Sequence, residues 1–592
     1  MFLDLVLEFF RSYLGLFLLW GVGSWLAYNR YAYGLNHIPG PKLASLTNFW
    51  RLFVVYGRRA ELEYIRLHEK YGSLVRLGPN LVSVSDASAI PVIYALNAGF
   101  IKSDFYKVQQ TLAKGQPLLT LFTSTDEGYH SKLRRAVSNA YAMSTLVQSE
   151  PYIDSTTTEF IRQIQSRFAD KPGKICDLGF WLQLFAFDVI GELTYSKRLG
   201  FIENGIDVEG IISSIEGMLD YAAVVGQMPG LDKLLIKNPI RKFCSKLGLL
   251  NSNTYMVSFA RKRLDERVDP LTGLEKLEAK LVTDPPRRDF LSRFLEAHKK
   301  DPDMITNQRV LALTVANVFA GSDTTAISLR AVFYYLLKNP ADMQSLLNEI
   351  FEQKRNGKFA RADGLVDWKV VRELPFLDAV VKEALRCHPA TGLPLERITP
   401  KAGITVCGKF IPGGTIIGCN AWTVHNDASV FGEAPKEFRP RRWIDASQDQ
   451  RRLMENSILT FGAGSRTCIG KNISLLEMYK LIPAFLMKFQ VSQEGTFCAI
   501  SGHYNSLSAF QNGTKALSST WATPLKLGVQ NIVCDGSSAA AEVKAENTVC
   551  KNRLPFTTEY RWVCSFNDEN KIVKINAYMD TDLVTRVIEQ NS

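Results

Sequence analysis

The sequence lacks the cysteine spacing of disulfide-stapled or zinc-binding modules. Its ten cysteines are scattered over 592 residues, and no two form a CxxC pair. This pattern predicts reduced thiols in the cytosol. The chain also lacks a sustained basic run, because its 70 Lys and Arg and 59 Asp and Glu, net charge +11, are spread along it. Spread charge favours a mildly basic docking face or a membrane surface and argues against nucleic-acid binding.

No internal repeat is visible, and the chain is too long for one ordinary domain. A hydrophobic content of 46% is sufficient for a large core and typical of a globular enzyme. Helical periodicity dominates residues 126–390, with short strand-like runs at 73–86 and 397–420. This pattern predicts a mainly α body with small β-sheets. From about residue 524 the chain changes to four strands and a helix, which predicts a second domain over residues 493–592.

One long uncharged stretch lies near the N-terminus, at Ser12–Asn29. It is about long enough to cross a hydrocarbon core of about 30 Å at about 1.5 Å per residue. Arg30, Lys42 and Arg51 follow it, and this basic excess predicts a cytosolic C-terminal side. We therefore expect a single-pass anchor in residues 1–30 and a body over residues 31–492. A cleaved signal peptide and a buried helix are the alternatives, although no small-residue cleavage site favours cleavage.

A glycine-rich loop, "FGAGSRTCIG" at Phe461–Gly470, places Cys468 directly before a helix. Glycines at 462, 464 and 470 allow positive φ and close approach of the backbone to a flat ligand. The helix start is expected to lower the pKa of the thiol and favour a thiolate. Arg466 could bind an acidic group on the same ligand. The alternative is a glycine-rich turn with an incidental buried cysteine.

A long apolar helix is predicted at Val310–Leu329, with Asp323 in its middle. Burying an isolated carboxylate is costly, and Gly321 costs a helix about 1 kcal/mol against alanine. Thr324 can bond back to a carbonyl one turn earlier. The helix thus combines an acid, a hydroxyl and a glycine where plain core residues would serve. The alternative is a helix that restarts with Ser322 or Asp323 as its N-cap.

A third segment, "FLDAVVKEALRCHP", carries Glu383 and Arg386 on one helical face. On a surface such a pair contributes little, and that is its default interpretation. The downstream "FRPRRW" segment supplies further arginines, among them Arg442.

Taken together, these motifs resemble the cytochrome P-450 superfamily of haem-thiolate monooxygenases, from the N-terminal anchor to about Val491. The resemblance implies the cytochrome P-450 fold, with Cys468 as the thiolate ligand of haem iron. "PRRW" departs from the family pattern at Arg441, where glutamate is more usual. The other roles that the resemblance implies are an acid–alcohol pair of the distal helix (Asp323, Thr324), haem-binding residues (His130, Arg134, Arg397, Phe461, Arg466, Gly470) and residues that hold the cysteine loop in place (Glu383, Arg386, Arg442).

The implied reaction inserts one oxygen atom of O2 into a small apolar metabolite. Within the superfamily the chain is most similar to fungal enzymes of the pisatin-demethylase kind, many of which act in secondary metabolism. No flavin or nicotinamide motif is present, so electrons are expected from a separate NADPH–cytochrome P-450 reductase at the endoplasmic reticulum membrane, docking near the cysteine loop. The predicted pocket segments are 100–125, 205–235 and 391–395.

Two alternatives compete with this function. One is a haem-thiolate isomerase or dehydratase that uses no O2, against which the Asp323–Thr324 pair argues. The other is a non-catalytic product of fused genes.

The C-terminal segment 558–588 resembles the nuclear-transport-factor-like, SnoaL-type α+β cone fold, extended upstream to about Phe497 but without the first helices of that fold. Its strands and turn are followed by a predicted final helix capped by Asp580 or Thr581. Three interpretations compete: a second catalytic module, a dimerisation or binding module, and a product of two neighbouring genes joined in one chain. The polar candidates for its pocket, each with a structural alternative, are His503, Glu559, Tyr578 and Asp580.

Overall fold

The computed structural model describes residues 2–113, 116–171, 174–247, 255–268 and 289–491, together with six strands between 527 and 579. The chain forms two compact units, Met1–Gln490 and Val491–Ser592. The predicted domain bounds, 31–492 and 493–592, stay a prediction.

The first unit is mainly helical, as the periodicity predicts. Its α-helices up to residue 267 are α1 (Phe2–Tyr31), α2 (Lys42–Leu46), α3 (Phe49–Tyr56), α4 (Ala60–Tyr71), α5 (Ile90–Ile93), α6 (Phe105–Val108), α7 (Glu127–Val137), α8 (Met143–Leu146), α9 (Glu150–Ile164), α10 (Leu178–Tyr195), α11 (Phe201–Asn204), α12 (Ile211–Val225), α13 (Pro239–Lys246) and α14 (Tyr255–Arg267). Those that follow are α15 (Phe290–Lys300), α16 (Asn307–Lys338), α17 (Pro340–Arg355), α18 (Trp368–Val371), α19 (Pro375–Cys387), α20 (Ala421–Val424), α21 (Ala428–Phe431), α22 (Arg441–Asp445), α23 (Gln448–Ser457) and α24 (Lys471–Lys488).

Small sheets complete this unit. Its strands are β1 (Leu74–Gly78), β2 (Leu81–Val84), β3 (Ile101–Lys102), β4 (Leu112–Ala113), β5 (Gln116–Pro117), β6 (Arg397–Ile398), β7 (Ile404–Val406), β8 (Lys409–Ile411) and β9 (Ile416–Cys419). Five of them form one sheet in the order β1-β2-β9-β6-β3. The antiparallel pair β1–β2 is the hairpin predicted at 73–86, and the parallel pairing of β2 with β9 joins it to the later strands.

Helices α10, α16 and α24 supply much of the core, because each is apolar on most of its faces. Asp177 caps the start of α10 by accepting a hydrogen bond from the backbone N–H of Phe180, and Thr306 caps α16 through Arg309 in the same way. Helix α16 runs without interruption through Asp323. The alternative in which the helix restarts at Ser322 or Asp323 is therefore wrong.

Helix α1 contains the predicted anchor and exposes large apolar side chains. Leu18, Leu19 and Trp20 are 60%, 72% and 74% exposed. By length and hydropathy, α16 is the one helix among the described residues that could cross a membrane, and 61% of its most apolar window is buried within the protein. Helix α16 therefore reads as a core helix, and the anchoring role of α1 remains a prediction.

The second unit contains β10 (Leu527–Asp535), β11 (Ser538–Ala545), β12 (Thr548–Val549), β13 (Pro555–Phe556), β14 (Glu559–Phe566) and β15 (Ile572–Met579). Four strands form an antiparallel sheet in the order β10-β11-β14-β15, and β12 pairs with β13. The predicted strands of the tail are thus present. Its predicted final helix, together with His503 and Asp580, lies outside the described residues.

Candidate active site

Helix α16 approaches α10 closely at Gly321. A Cβ added there would lie 2.9 Å from Cδ1 of Ile190, so a larger residue at 321 requires the Ile190 side chain to shift. Two residues later, Asp323 is half-buried, and Thr324 is exposed. The Thr324 hydroxyl donates to the carbonyl oxygen of Ala320 at 2.7 Å, which is the backbone contact expected from the sequence.

The carboxylate of Asp323 is held from the neighbouring helix α10. Nε2 of Gln183 donates to Oδ1 of Asp323 at 3.0 Å. Burial raises the pKa of Asp323, while the charge of Arg330 and the hydrogen bond from Gln183 act in the opposite direction. An acid with a raised pKa beside an exposed hydroxyl is an arrangement suited to proton transfer.

The glycine-rich loop folds back on itself before α24. The backbone N–H of Cys468 donates to the carbonyl oxygen of Phe461 at 2.8 Å. Gly462 and Gly464 have φ of +67° and +66°, as the sequence predicts. A Cβ at Gly464 would lie 1.8 Å from the carbonyl oxygen of Tyr94, so no other residue fits there. Gly470 has an ordinary φ of −83°, and the expectation of positive φ is wrong for it.

The pKa of the Cys468 thiol is raised, whereas the sequence argument expected it to be lowered. Burial raises it, and this effect outweighs the backbone N–H groups of Gly470 and Lys471 and the charge of Arg134, which lower it. The helix start does lower the pKa of the thiol as expected, but the opposite effect of burial is larger. Deprotonation near neutral pH therefore needs a further positive charge at the sulfur, as a bound metal ion provides.

Glu383 lies at the centre of a buried ion-pair network. Its carboxylate pairs with Arg386 at 2.8 Å and with Arg442 at 3.0 Å, and all three side chains are buried. Nε1 of Trp443 also donates to Glu383, at 2.8 Å. Burial alone would raise the pKa of Glu383, but the two arginines outweigh it and hold the pKa below its usual range. The surface interpretation of the Glu383–Arg386 pair is wrong.

This network is connected to the cysteine loop by short contacts. The Thr460 hydroxyl donates to the carbonyl oxygen of Leu385 on α19 at 2.8 Å. His425 accepts from the backbone N–H of Leu459 at 2.9 Å, and its other ring nitrogen contacts the carbonyl oxygen of Arg386 at 2.9 Å. The start of the loop is therefore fixed to the end of α19.

The loop is also tied to the helix that carries Asp323 and Thr324. The hydroxyls of Thr325 on α16 and Ser474 on α24 lie 3.0 Å apart. Nδ2 of Asn472 donates to the carbonyl oxygen of Tyr141, whose hydroxyl donates to Asn317 on α16 at 2.5 Å. The helix of the acid–alcohol pair is thus in direct contact with α24, the helix that follows the loop of Cys468.

Four cationic side chains surround His130, which is buried on α7. Burial lowers the pKa of His130 to about 3, and the charges of the four cations lower it further; these are Arg466, Arg134, Lys102 and Arg397. Lys102 is itself 4% exposed, and burial, together with its cationic neighbours Arg397 and Arg466, holds its pKa well below the usual range. Cations grouped this closely in a largely buried place are unfavourable unless anions balance them.

The acids near this cluster do not balance it. Arg466 pairs with Glu127 at 2.6 Å and also donates to the carbonyl oxygens of Leu121 and Ser124. Glu396, the acid next to Arg397, is paired with Arg51 at 3.0 Å. One carboxylate, that of Glu127, therefore faces four cations among the described residues.

The residues fit haem. A dianionic group is what the cationic cluster needs, and haem carries two propionates. The iron of haem binds a thiolate ligand, and its positive charge would favour deprotonation of Cys468. Of the predicted haem-binding residues, the structure brings together His130, Arg134, Arg397 and Arg466. Phe461 and Gly470 lie in the loop of Cys468.

Sequence reasoning did not identify Gln183, Lys102, Trp443 or His425. A weak signal exists for Gln183, which is the single polar residue of the apolar run "FWLQLFAF". Trp443 directly follows Arg442 in the "FRPRRW" segment.

Comparison with known proteins identifies the family of the chain. The family profile described as Cytochrome P-450 matches residues 39–505. It begins after α1 and extends past the boundary predicted at residue 492.

Curated relatives match over most of the first unit. A cytochrome P-450 monooxygenase of Aspergillus terreus is 45% identical over 459 residues, which are 78% of this chain and 91% of the relative. The monooxygenase cicH of Emericella nidulans is 42% identical, over 77% of this chain and 88% of the relative. The monooxygenase mpaDE of Penicillium brevicompactum is 40% identical, over 78% of this chain and 53% of the relative. The chain therefore belongs to the cytochrome P-450 family of monooxygenases, which bind haem through a cysteine thiolate.

Proposed function

We propose that the protein is a membrane-anchored monooxygenase that hydroxylates or epoxidises a small apolar metabolite in fungal secondary metabolism. The observation that carries the proposal is the contact between the helix of Asp323 and Thr324 and the helix that follows Cys468, through Thr325 and Ser474 at 3.0 Å. This contact places the residues for proton delivery and for metal ligation on one rigid support. The exposed apolar side chains of Leu119 and Phe122, in a predicted pocket segment, support an apolar substrate.

In this proposal Cys468 is the thiolate ligand of haem iron, within the loop Phe461–Gly470. Bound haem supplies the activation of O2, which thiolate ligation favours. His130 and the cations Arg134, Arg397 and Arg466 hold the propionates. Glu383, Arg386 and Arg442 support the start of the loop, since they hold α19 and the segment 425–443, which contact Leu459 and Thr460.

Asp323 and Thr324 control protons in this proposal. Burial raises the pKa of Asp323, so this acid holds a proton more readily than an ordinary exposed aspartate does. The Thr324 hydroxyl donates its hydrogen bond to the Ala320 carbonyl oxygen. The lone pairs of the hydroxyl oxygen therefore remain free to accept a hydrogen bond from a proton donor or from water. In this proposal Asp323 is the group that carries the proton, and Thr324 is the group that orients its delivery.

The exposed apolar face of α1 supports a single-pass anchor in the endoplasmic reticulum membrane, with the body in the cytosol. We further propose that electrons come from a separate NADPH–cytochrome P-450 reductase. Lys132, Arg135 and Lys471 are exposed near the cysteine loop and give a reductase a basic surface to bind.

The test uses microsomes that contain the full-length chain, reductase, NADPH and candidate metabolites. Cys468→Ala should abolish the thiolate-type spectrum of the reduced carbon monoxide complex together with product formation. Thr324→Ala should keep that spectrum but consume NADPH without matching product. A thiolate-type spectrum in Cys468→Ala, or normal coupling in Thr324→Ala, would contradict the respective assignment. Product formation without O2 would favour an isomerase or dehydratase.

A further inference from the structure

The amide of Gln183 lies between the acid of the distal helix and a cation. Gln183, on α10, is 3% exposed. Its Nε2 donates to Oδ1 of Asp323 at 3.0 Å, and its Oε1 accepts from Nη2 of Arg330 at 2.8 Å. Arg330 lies on α16 about two turns after Asp323. One neutral amide therefore connects two charged groups of the same helix across the contact with α10.

The direction of these hydrogen bonds follows from the chemistry of the groups. A guanidinium has only donors, so the amide oxygen of Gln183 must face Arg330. The NH2 group of Gln183 must then face Asp323, and Oδ1 of Asp323 must accept. Arg330 cannot easily turn away, because its Nε also donates to the carbonyl oxygen of Gly179 at 2.7 Å.

A proton on Oδ1 of Asp323 would point at the hydrogens of this NH2 group. That arrangement loses the hydrogen bond and places two donors against each other in a buried site. The other oxygen, Oδ2, receives no side-chain hydrogen bond from the residues that the structure describes. The two oxygens of one carboxyl group are therefore not equivalent.

We propose that Gln183 and Arg330 are positioning residues that reserve Oδ1 of Asp323 as an acceptor, so that Asp323 carries and passes its proton at Oδ2. The inference rests on the proposed proton delivery by Asp323 and Thr324. Within the described part of the chain, the charged group that acts on Asp323 is Arg330 on its own helix, and the group that faces it from α10 is the neutral Gln183.

The main test is Gln183→Leu in the full-length, haem-loaded enzyme with reductase. Loss of the hydrogen bond to the carboxylate favours the protonated acid, so the pH profile of product formed per NADPH should move upward by about one pH unit. Infrared difference spectra, with the Asp323 band assigned by Asp323→Asn, should show the same shift in the titration of the carboxyl group. The thiolate-type carbon monoxide spectrum should be retained.

Two substitutions at Arg330 test the orientation of the amide. Arg330→Lys keeps a donor-only cation and should preserve the wild-type profile. Arg330→Met releases the amide oxygen to turn toward Asp323, so the profile should move upward. In the Gln183→Leu background, Arg330→Met should add less than it does alone, because only its direct charge effect on Asp323 remains to be lost. If Gln183→Leu does not fold, equal profiles for Arg330→Lys and Arg330→Met would overturn the proposal.

The chain offers a matched control on α9. Nε2 of Gln163 donates to Glu159 at 2.8 Å and its Oε1 accepts from Arg167 at 2.6 Å, which is the same order of cation, amide and acid. Gln163→Leu should leave the coupling profile and the infrared band of Asp323 unchanged. An unchanged profile in Gln183→Leu, while Asp323→Asn loses coupling, would overturn the positioning role alone. Normal coupling in Asp323→Asn would instead overturn the proton delivery on which the role depends.

Discussion

Gly321 of α16 and Ile190 of α10 are in a contact so close that a side chain at residue 321 would force Ile190 to shift. A Cβ there would lie 2.9 Å from Cδ1 and 3.0 Å from Cγ1 of Ile190. This contact brings α10 close enough for Gln183 to reach Asp323. The glycine that weakens the helix is therefore the residue that permits the hydrogen bond to its acid.

We predict that Gly321→Ala lowers the free energy of unfolding by about 1–3 kcal/mol, because overpacking outweighs the better helix propensity of alanine. Ile190→Val removes Cδ1 and should restore part of the loss. Gly217→Ala on α12 is the control, since no heavy atom lies within 4 Å of an added Cβ there. It should raise stability by about 0.5–1 kcal/mol. Chemical denaturation measures all three, and equal effects at Gly321 and Gly217 would contradict the prediction.

Glu383→Gln should destabilise the protein by about 3–5 kcal/mol, because it leaves two buried arginines without their counter-charge. Loss of the thiolate-type spectrum should accompany it, since the cysteine loop rests on this network. Denaturation and the carbon monoxide spectrum measure the two effects. The control is Glu455→Gln in the partly exposed pair with Lys382, which should cost about 0–1 kcal/mol. Similar losses in the two variants would show that the buried network is not the source of stability.

The buried His425 predicts a loss of stability in acid. Burial lowers its pKa to about 3, whereas an unfolded histidine titrates at about 6.5. The unfolded chain therefore binds more protons below pH about 6.5, so the contribution of His425 is complete above that pH and declines as the pH falls toward 3.

His425→Gln should reduce the slope of unfolding free energy against pH by up to about 1.4 kcal/mol per pH unit between those limits. Burial also lowers the pKa of His68, to about 4, so His68→Gln should remove slope only down to that pH. Denaturation at a series of pH values measures both. A wild-type slope in His425→Gln would mean that its protonation does not oppose folding.

We predict that deletion of residues 506–592 changes neither the product nor the oligomeric state, because the family match ends at residue 505. Deletion of residues 493–592 removes the end of that match and should lower stability. Product analysis and size-exclusion chromatography of the two truncated chains provide the measurement. A new product or a changed oligomeric state after removal of 506–592 would instead identify the tail as a working partner domain.

The sequence predicts those parts of the site that are contiguous along the chain. The cysteine loop, the helix of Asp323 and the pair Glu383–Arg386 each have a local spacing, and a local spacing can be read without coordinates. Gln183 precedes Asp323 by 140 residues, and no local pattern joins them. The place of Lys102 in the cationic cluster is equally invisible in the sequence, because it depends on the pairing of β3 with β6, which sets Lys102 opposite Arg397.

The Cys468 thiol shows a different limit of sequence reasoning. The helix that follows it was recognised, and its effect on the thiol has the predicted direction. Cys468 as a residue is exposed, yet packed neighbours remove enough water from its sulfur to raise the pKa, and this desolvation depends on the packing of distant segments. The sequence shows the helix start, which lowers the pKa of the thiol, but not the tertiary packing, which raises it. The direction of the net shift therefore cannot be predicted from the sequence.

The four cations around His130 have a consequence for the life of the protein in a cell. If haem binds at the proposed site, these cations repel one another in the chain before haem binds. The propionates of haem reduce that repulsion. A ligand that binds only the folded state increases the folded fraction by mass action. The amount of this protein that escapes proteolysis should then follow the haem supply of the cell, even when transcription is constant.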